Sequence, residues 1–176
     1  WAYQWEPMAA IVEQIRAHMQ AFGAPRQQVE FYHLLARTAF LRAGMLGSQE
    51  SRAAASQALL AARQSGEANA ILLTQFSYGF QLLWSGEMEA ASQELSQALA
   101  SAQTIGNLLL QAQCLTYLTI LERRRGELAR VARLAQESLE AAQACQRADY
   151  AGVAQANQAW LAWRRGNLGE AEQLAQ

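Results

Sequence analysis

The residues able to do chemistry in this chain are few and widely scattered. All 14 basic residues are arginine, no lysine occurs, and Asp149 is the one aspartate. Without lysine the chain can form no P-loop, no Schiff base and no kinase-type phosphate clamp of its own. A lone aspartate leaves nothing from which to build an EF-hand or an aspartate-based magnesium site. His18 and His33 stand apart, with no second ligand one helical turn away and no acid at zinc-motif spacing, so both read as ordinary surface or core histidines. Cys114 and Cys145 form no Cys-x-x-Cys pair. They read as two small buried thiols, with a disulfide as the alternative. The serines lack a nucleophile elbow, as Gly47-Ser48-Gln49-Glu50 illustrates. Glu137 and Glu140 fall where a helix meets solvent. With no acid, base, nucleophile or metal set converging, the expectation is a non-enzyme with no metal and no cofactor. What the chain does offer is arginine beside tryptophan, a pairing suited to binding.

The elements that would position these residues are helical. About half of the 176 residues are apolar, enough for a continuous core, and only two are proline. Ala, Leu, Gln, Glu and Arg dominate the remainder and β-branched residues are sparse, which predicts an all-α chain. The net charge of −1 has no basic footprint, so no direct nucleic-acid partner is expected. No apolar run reaches the roughly 18 residues that a membrane span needs, and no signal peptide is visible, which predicts a cytoplasmic protein without a membrane partner. The chain opens on Trp1 and closes on Gln176 inside a helical pattern. It is expected to be a piece of a longer protein.

Residues 1–6 read as the tail of a helix, and Pro7 suits the first turn of the next. Over 8–22, Ile11, Val12, Ile15, Met19 and Phe22 fall on one helical stripe, closed by Gly23, with Pro25 in the loop that follows. Helices over 27–43 and 49–64 come next, ended by the Gly44–Gly47 turn and by Ser65-Gly66. From there a register emerges. Leu83-Trp84-Ser85-Gly86-Glu87-Met88, Arg124-Arg125-Gly126-Glu127-Leu128 and Arg164-Arg165-Gly166-Asn167-Leu168 repeat one phrase at a spacing of 40. Gly66 recurs as Gly106, and Leu59, Leu99 and Leu139 hold the same interval; Leu99 is expected to be fully buried. Such periodicity predicts helical hairpins that bury their apolar faces by stacking. The predicted organisation is one repeat domain over 1–176: an N-terminal helix over 1–26, repeats at 27–66, 67–106 and 107–146, and a truncated repeat at 147–176. Arginines in the last turns and Glu87 and Glu127 at helix starts suit the helix dipole.

This pattern resembles the tetratricopeptide repeat family. Gly79, Gly86, Ala91 and Ala98 match its small-residue and turn positions, and Ala159, Gly166 and Ala171 match as far as the chain runs. Thr119, Gly126, Val131 and Ser138 match more loosely. The first repeat keeps Ala39 and Ala58 but has Leu46 at the turn position, with Gly47 one place late, and Ser51 after it. The period of 40 exceeds the usual family period of about 34, and the usual terminal proline is absent. HEAT repeats have periods of about 40–47, but a one-glycine turn argues against them. Longer units of this kind resemble the repeat arms of bacterial signal-transduction ATPases, LuxR-AfsR-type and cyclase-linked regulators, on the phrases Gly79-Phe80-Gln81-Leu82-Leu83-Trp84 and Gln158-Ala159-Trp160-Leu161-Ala162-Trp163. The resemblance implies an α-α superhelix of about four antiparallel helix pairs, whose first helices line a concave groove. It places Phe40, Phe80, Ile120 and Trp160 at equivalent positions there, with Leu83, Trp84, Arg123, Arg124, Trp163 and Arg164 nearer the turns. The expected function is a protein-interaction or regulatory scaffold, binding a peptide, a partner protein or its own parent's catalytic domain. The alternative is a small-molecule sensor with Trp84, Trp160, Trp163 and Arg124 lining a pocket. Homodimerisation through exposed ends fits either. Against a binding groove stands plain packing of the rings between helices, with the arginines as solvated dipole caps.

Overall fold

The computed structural model describes residues 5–175, and every regular element among them is a helix. In order they are α1 (Trp5–Phe22), α2 (Pro25–Arg42), α3 (Gln49–Ser65), α4 (Ala68–Trp84), α5 (Met88–Thr104), α6 (Leu108–Arg125), α7 (Leu128–Ala144), α8 (Ala148–Arg164) and α9 (Leu168–Leu174). Helices α4, α6 and α8 begin at 68, 108 and 148, and α5, α7 and α9 at 88, 128 and 168, so the period of 40 holds to the residue. None of these helices is long and apolar enough to cross a membrane.

The turns show why. Gly86, Gly126 and Gly166 take φ of 85°, 80° and 83°. After each, the next N–H reaches back five residues, Glu87 to the Leu82 carbonyl at 3.0 Å, Glu127 to Glu122 at 3.1 Å and Asn167 to Ala162 at 2.9 Å. This is the Schellman closure, which satisfies carbonyls that the helix end leaves unpaired. The alternate turns use the same left-handed step at Gly66 and Gly106, with φ of 72° and 71°, and at Gln146, with φ of 56°. Left-handed residues therefore fall every 20 positions from 66 to 166, and one of them is not glycine.

Several expectations about the first part of the chain need correction. Trp5 and Glu6 belong to α1 itself, and residues 1–4 lie outside the described ones. Pro25 is the first residue of α2, where its missing N–H costs nothing. The apolar stripe of α1 buries Val12, whereas Ile11, Ile15 and Phe22 are exposed. At the end of α2 the left-handed residues are Gly44 and Met45, not Leu46 or Gly47. Gly47 is needed for a different reason. Its N–H donates to the Trp84 carbonyl at 3.2 Å, and a side-chain carbon there would collide with the backbone of Trp84 and Ser85.

The chain divides into two compact units within α5, after Glu94. In the first, α2 packs against α1, α3 and α4, and α3 against α4. Its core joins Val12, Phe31, Leu35, Ala36, Ala54 and Ala55, with Met19, Tyr32, Leu34 and Tyr78 against them. In the second, α7 packs on α6 and α8, α9 packs on α8, and α6 touches α8 directly. Within each unit a helix thus meets its neighbours and the next but one, the arrangement of stacked hairpins.

The small-residue positions explain the close approach. Ala39, Gly79 and Thr119 are buried, as are Ser51, Ala91 and Val131, and Ala58, Ala98 and Ser138. Where a hydroxyl replaces a methyl it is satisfied: Thr119 donates to the Leu115 carbonyl at 2.7 Å, and Ser138 and Thr116 share a bond of 3.0 Å. Leu99 is only half-buried, contrary to expectation. The centre of the α5 stripe runs through Ala91, Leu95, Ala98 and Ala102, all fully enclosed, and Leu99 lies at its margin.

Candidate functional site

In the first unit the predicted Phe80 and Trp84 form an aromatic ladder with Phe76, which the sequence did not mark out. Phe76, Phe80 and Trp84 follow one another at successive turns of α4, which puts them on one face. Phe80 lies 6.5 Å from Phe76 and 6.1 Å from Trp84 between ring centroids. Phe40 of α2 meets Phe80 edge to face at 5.1 Å, an arrangement favoured by the ring quadrupoles. Phe40 is buried and Phe80 and Trp84 are half-buried, so much of this cluster is inter-helix packing. Leu83, placed near the groove on sequence grounds, is fully enclosed and belongs to the core.

In the second unit α6 and α8 bring together arginines and indoles. The Arg123 guanidinium carbon lies 4.6 Å from the Trp160 ring centroid, and one of its nitrogens donates to the Asn157 side-chain oxygen at 2.7 Å. Arg164 approaches the same ring at 5.8 Å and that of Trp163 at 6.0 Å. Such cation–π contacts strengthen where water is excluded. Burial pushes the Arg123 pKa down, and guanidinium stays charged all the same. Among the described residues neither Arg123 nor Arg164 meets a carboxylate. Trp163 is 55% exposed. Ile120 is half-buried and Arg124 exposed on the same helix.

The chain matches no known protein-family model, and no curated protein matches its sequence.

Two functional-looking residues escaped the sequence reading. Asn157 is 1% exposed, with its side-chain nitrogen enclosed and without an acceptor. The signal was an amide inside an alanine-rich stripe. Glu122 is fully buried where the repeat has Leu82 and Ala162 in register. Arg125 at 3.2 Å and Arg130 at 3.4 Å both pair with one of its oxygens, while the other is enclosed without a partner. Cys114 is buried, its thiol pushed up to about 12 by desolvation. Cys145 is half-buried and also a free thiol. Trp84 belongs to the first unit, and Trp160, Trp163 and Arg124 to the second.

Proposed function

We propose that this chain is a non-catalytic binding scaffold of tetratricopeptide-like helical hairpins that holds a peptide or partner protein. The observation carrying the reading is the α6/α8 cluster, where Arg123 and Arg164 share Trp160 and, among the described residues, no carboxylate meets either charge. A cation drawn partly out of water without a counter-ion costs free energy that an incoming acidic or polar group recovers. An exposed indole beside it supplies contact area at little entropic cost, the usual make-up of an interface anchor. The register of 40 supports the further proposal that the chain comes from the repeat arm of a bacterial signalling regulator, where such a face would engage a partner or the parent's own catalytic domain.

The test is a phage-displayed random peptide library selected on the intact chain. Selected peptides are expected to lose at least about tenfold in affinity when Trp163→Ala is combined with Arg164→Ala, both on the surface. Undiminished affinity, or selected peptides that map to other faces, would remove this cluster from the binding surface.

A further inference from the structure

The arginines of α6 are not all balanced in the same way. Arg125, together with Arg130 of α7, finds a carboxylate in Glu122. Arg123 finds instead the neutral amide of Asn157, whose oxygen accepts from its Nη1 at 2.7 Å. Asn157 is enclosed, and the Trp160 ring centroid lies 4.6 Å from the guanidinium carbon, so amide and ring together fix Arg123. Neither of these partners carries a charge. Arg164, exposed and 5.8 Å from the same ring, is likewise met by no carboxylate among the described residues. Arg123 is itself only half-buried, which leaves part of it open to an incoming group.

An arginine drawn into a fold ordinarily takes an acid, because pairing offsets part of the cost of removing the cation from water. An amide oxygen orients the guanidinium through the same kind of hydrogen bond and leaves its charge standing. We propose that the α6/α8 face receives an acidic segment of a partner protein, an Asp or Glu side chain against Arg123 and Arg164, and that Asn157 sets this preference by holding Arg123 in place without neutralising it. This preference presupposes the binding role of the same face and specifies the chemistry of what it holds. A carboxylate suits two guanidinium groups, each of which offers paired N–H donors, and such charged bonds are about twice as strong as neutral ones. Asn157, being enclosed, does not touch the segment and acts as a positioning residue. Val153, 40% exposed, lies on the same face of α8 as Trp160 and Arg164. The helical rise separates Val153 from Arg164 by about 16 Å, the reach of about five extended residues. The acid is therefore accompanied by a large apolar residue about five places away.

The experiment uses the whole 176-residue chain and two libraries of random peptides, blocked at both ends so that side chains supply the only carboxylates. One library contains Asp and Glu, and the other has Asn and Gln in their place. Peptides retained by the immobilised chain are sequenced, resynthesised and measured by fluorescence anisotropy, with amide chemical shifts to locate them. The tightest acidic peptides are expected at α6 and α8, and to lose at least about tenfold in affinity when the acid becomes its amide. Arg164→Gln should reduce that ratio to about threefold or less, and so should Asn157→Asp, which gives Arg123 a carboxylate of its own. Arg133→Gln, which removes an arginine already paired with Glu137, should leave the ratio unchanged. Equal binding of acidic and amide peptides at α6 and α8 would overturn the charge preference and leave the face a binding surface. Peptides that shift only other helices, or none retained, would remove the binding role and the preference with it. An unchanged ratio in Asn157→Asp would overturn the part assigned to Asn157. If that variant fails to fold, Asn157→Ser, matching Ser77 in the register of α4, decides in its place and should lower the ratio likewise.

Discussion

Gln146 offers a direct measurement of what the turns contribute. It sits at φ 56° in the place that glycine fills at 66, 86, 106, 126 and 166. A side chain held in the left-handed region costs about 1–2 kcal/mol relative to the right-handed one. Glycine removes that cost but loosens the unfolded chain, which takes back about 0.4–1 kcal/mol. Gln146→Gly should therefore stabilise the protein by roughly 0.5–1 kcal/mol. The reverse change is Gly126→Gln. No atom lies within 4 Å of the carbon it would add, so the loss there is conformational and not steric. It should destabilise by the same amount, roughly 0.5–1 kcal/mol. Urea unfolding followed by circular dichroism measures both, provided the slope stays constant so that midpoints report stability. Repeat chains can unfold in parts, so hydrogen exchange at α7 and α8 should be followed too. The side chain of Gln146 is exposed and forms no hydrogen bond that would oppose the gain. A neutral or negative effect of Gln146→Gly would refute the claim that the left-handed step is what these turns require.

Two further outcomes follow from burial. Leu95→Ala should cost on the order of 2–5 kcal/mol, since Leu95 is fully enclosed, whereas Leu99→Ala at the margin should cost clearly less; comparable losses in chemical denaturation would contradict the packing of α5. His33 has its pKa lowered by burial, with Glu30 opposing and Arg37 adding to the shift. The folded state then binds fewer protons than the unfolded one, so His33 favours folding above about pH 6.5, and this contribution is lost as pH falls through that value toward the folded pKa. Stability curves from pH 7.5 to 5 should show a fall that His33→Gln abolishes, and an unchanged fall in the variant would assign it to other groups.

The turns were legible in the sequence because glycine is the residue that enters the left-handed region without penalty, and the interval between glycines is visible by eye. Gln146 carries no such mark, and the sequence alone shows no turn there. Burial was legible at the small-residue positions, such as Ala91 and Ala98, but not at Leu99. A leucine's type does not say whether it stands at the middle or the edge of an apolar stripe. The arginine run was the hardest case. Consecutive helical residues point about 100° apart, so Arg123, Arg124 and Arg125 cannot share one role. Arg123 turns toward Trp160, Arg125 toward Glu122, and Arg124 outward. Which of them meets an indole depends on the rotation of α6 relative to α8, and no single residue in the sequence records that.

The connection over 43–48 stands apart from the two- and three-residue turns elsewhere among the described helices. Where a short turn pins both ends of a rod, one added residue cannot slip past it. It swings every later side chain by about 100° and carries the apolar stripe into water. The longer link has slack to spare, except at Gly47, which is clamped to Trp84. Insertions and deletions among natural variants should therefore gather between Ala43 and Leu46, while the remaining joints keep their length even as their side chains drift.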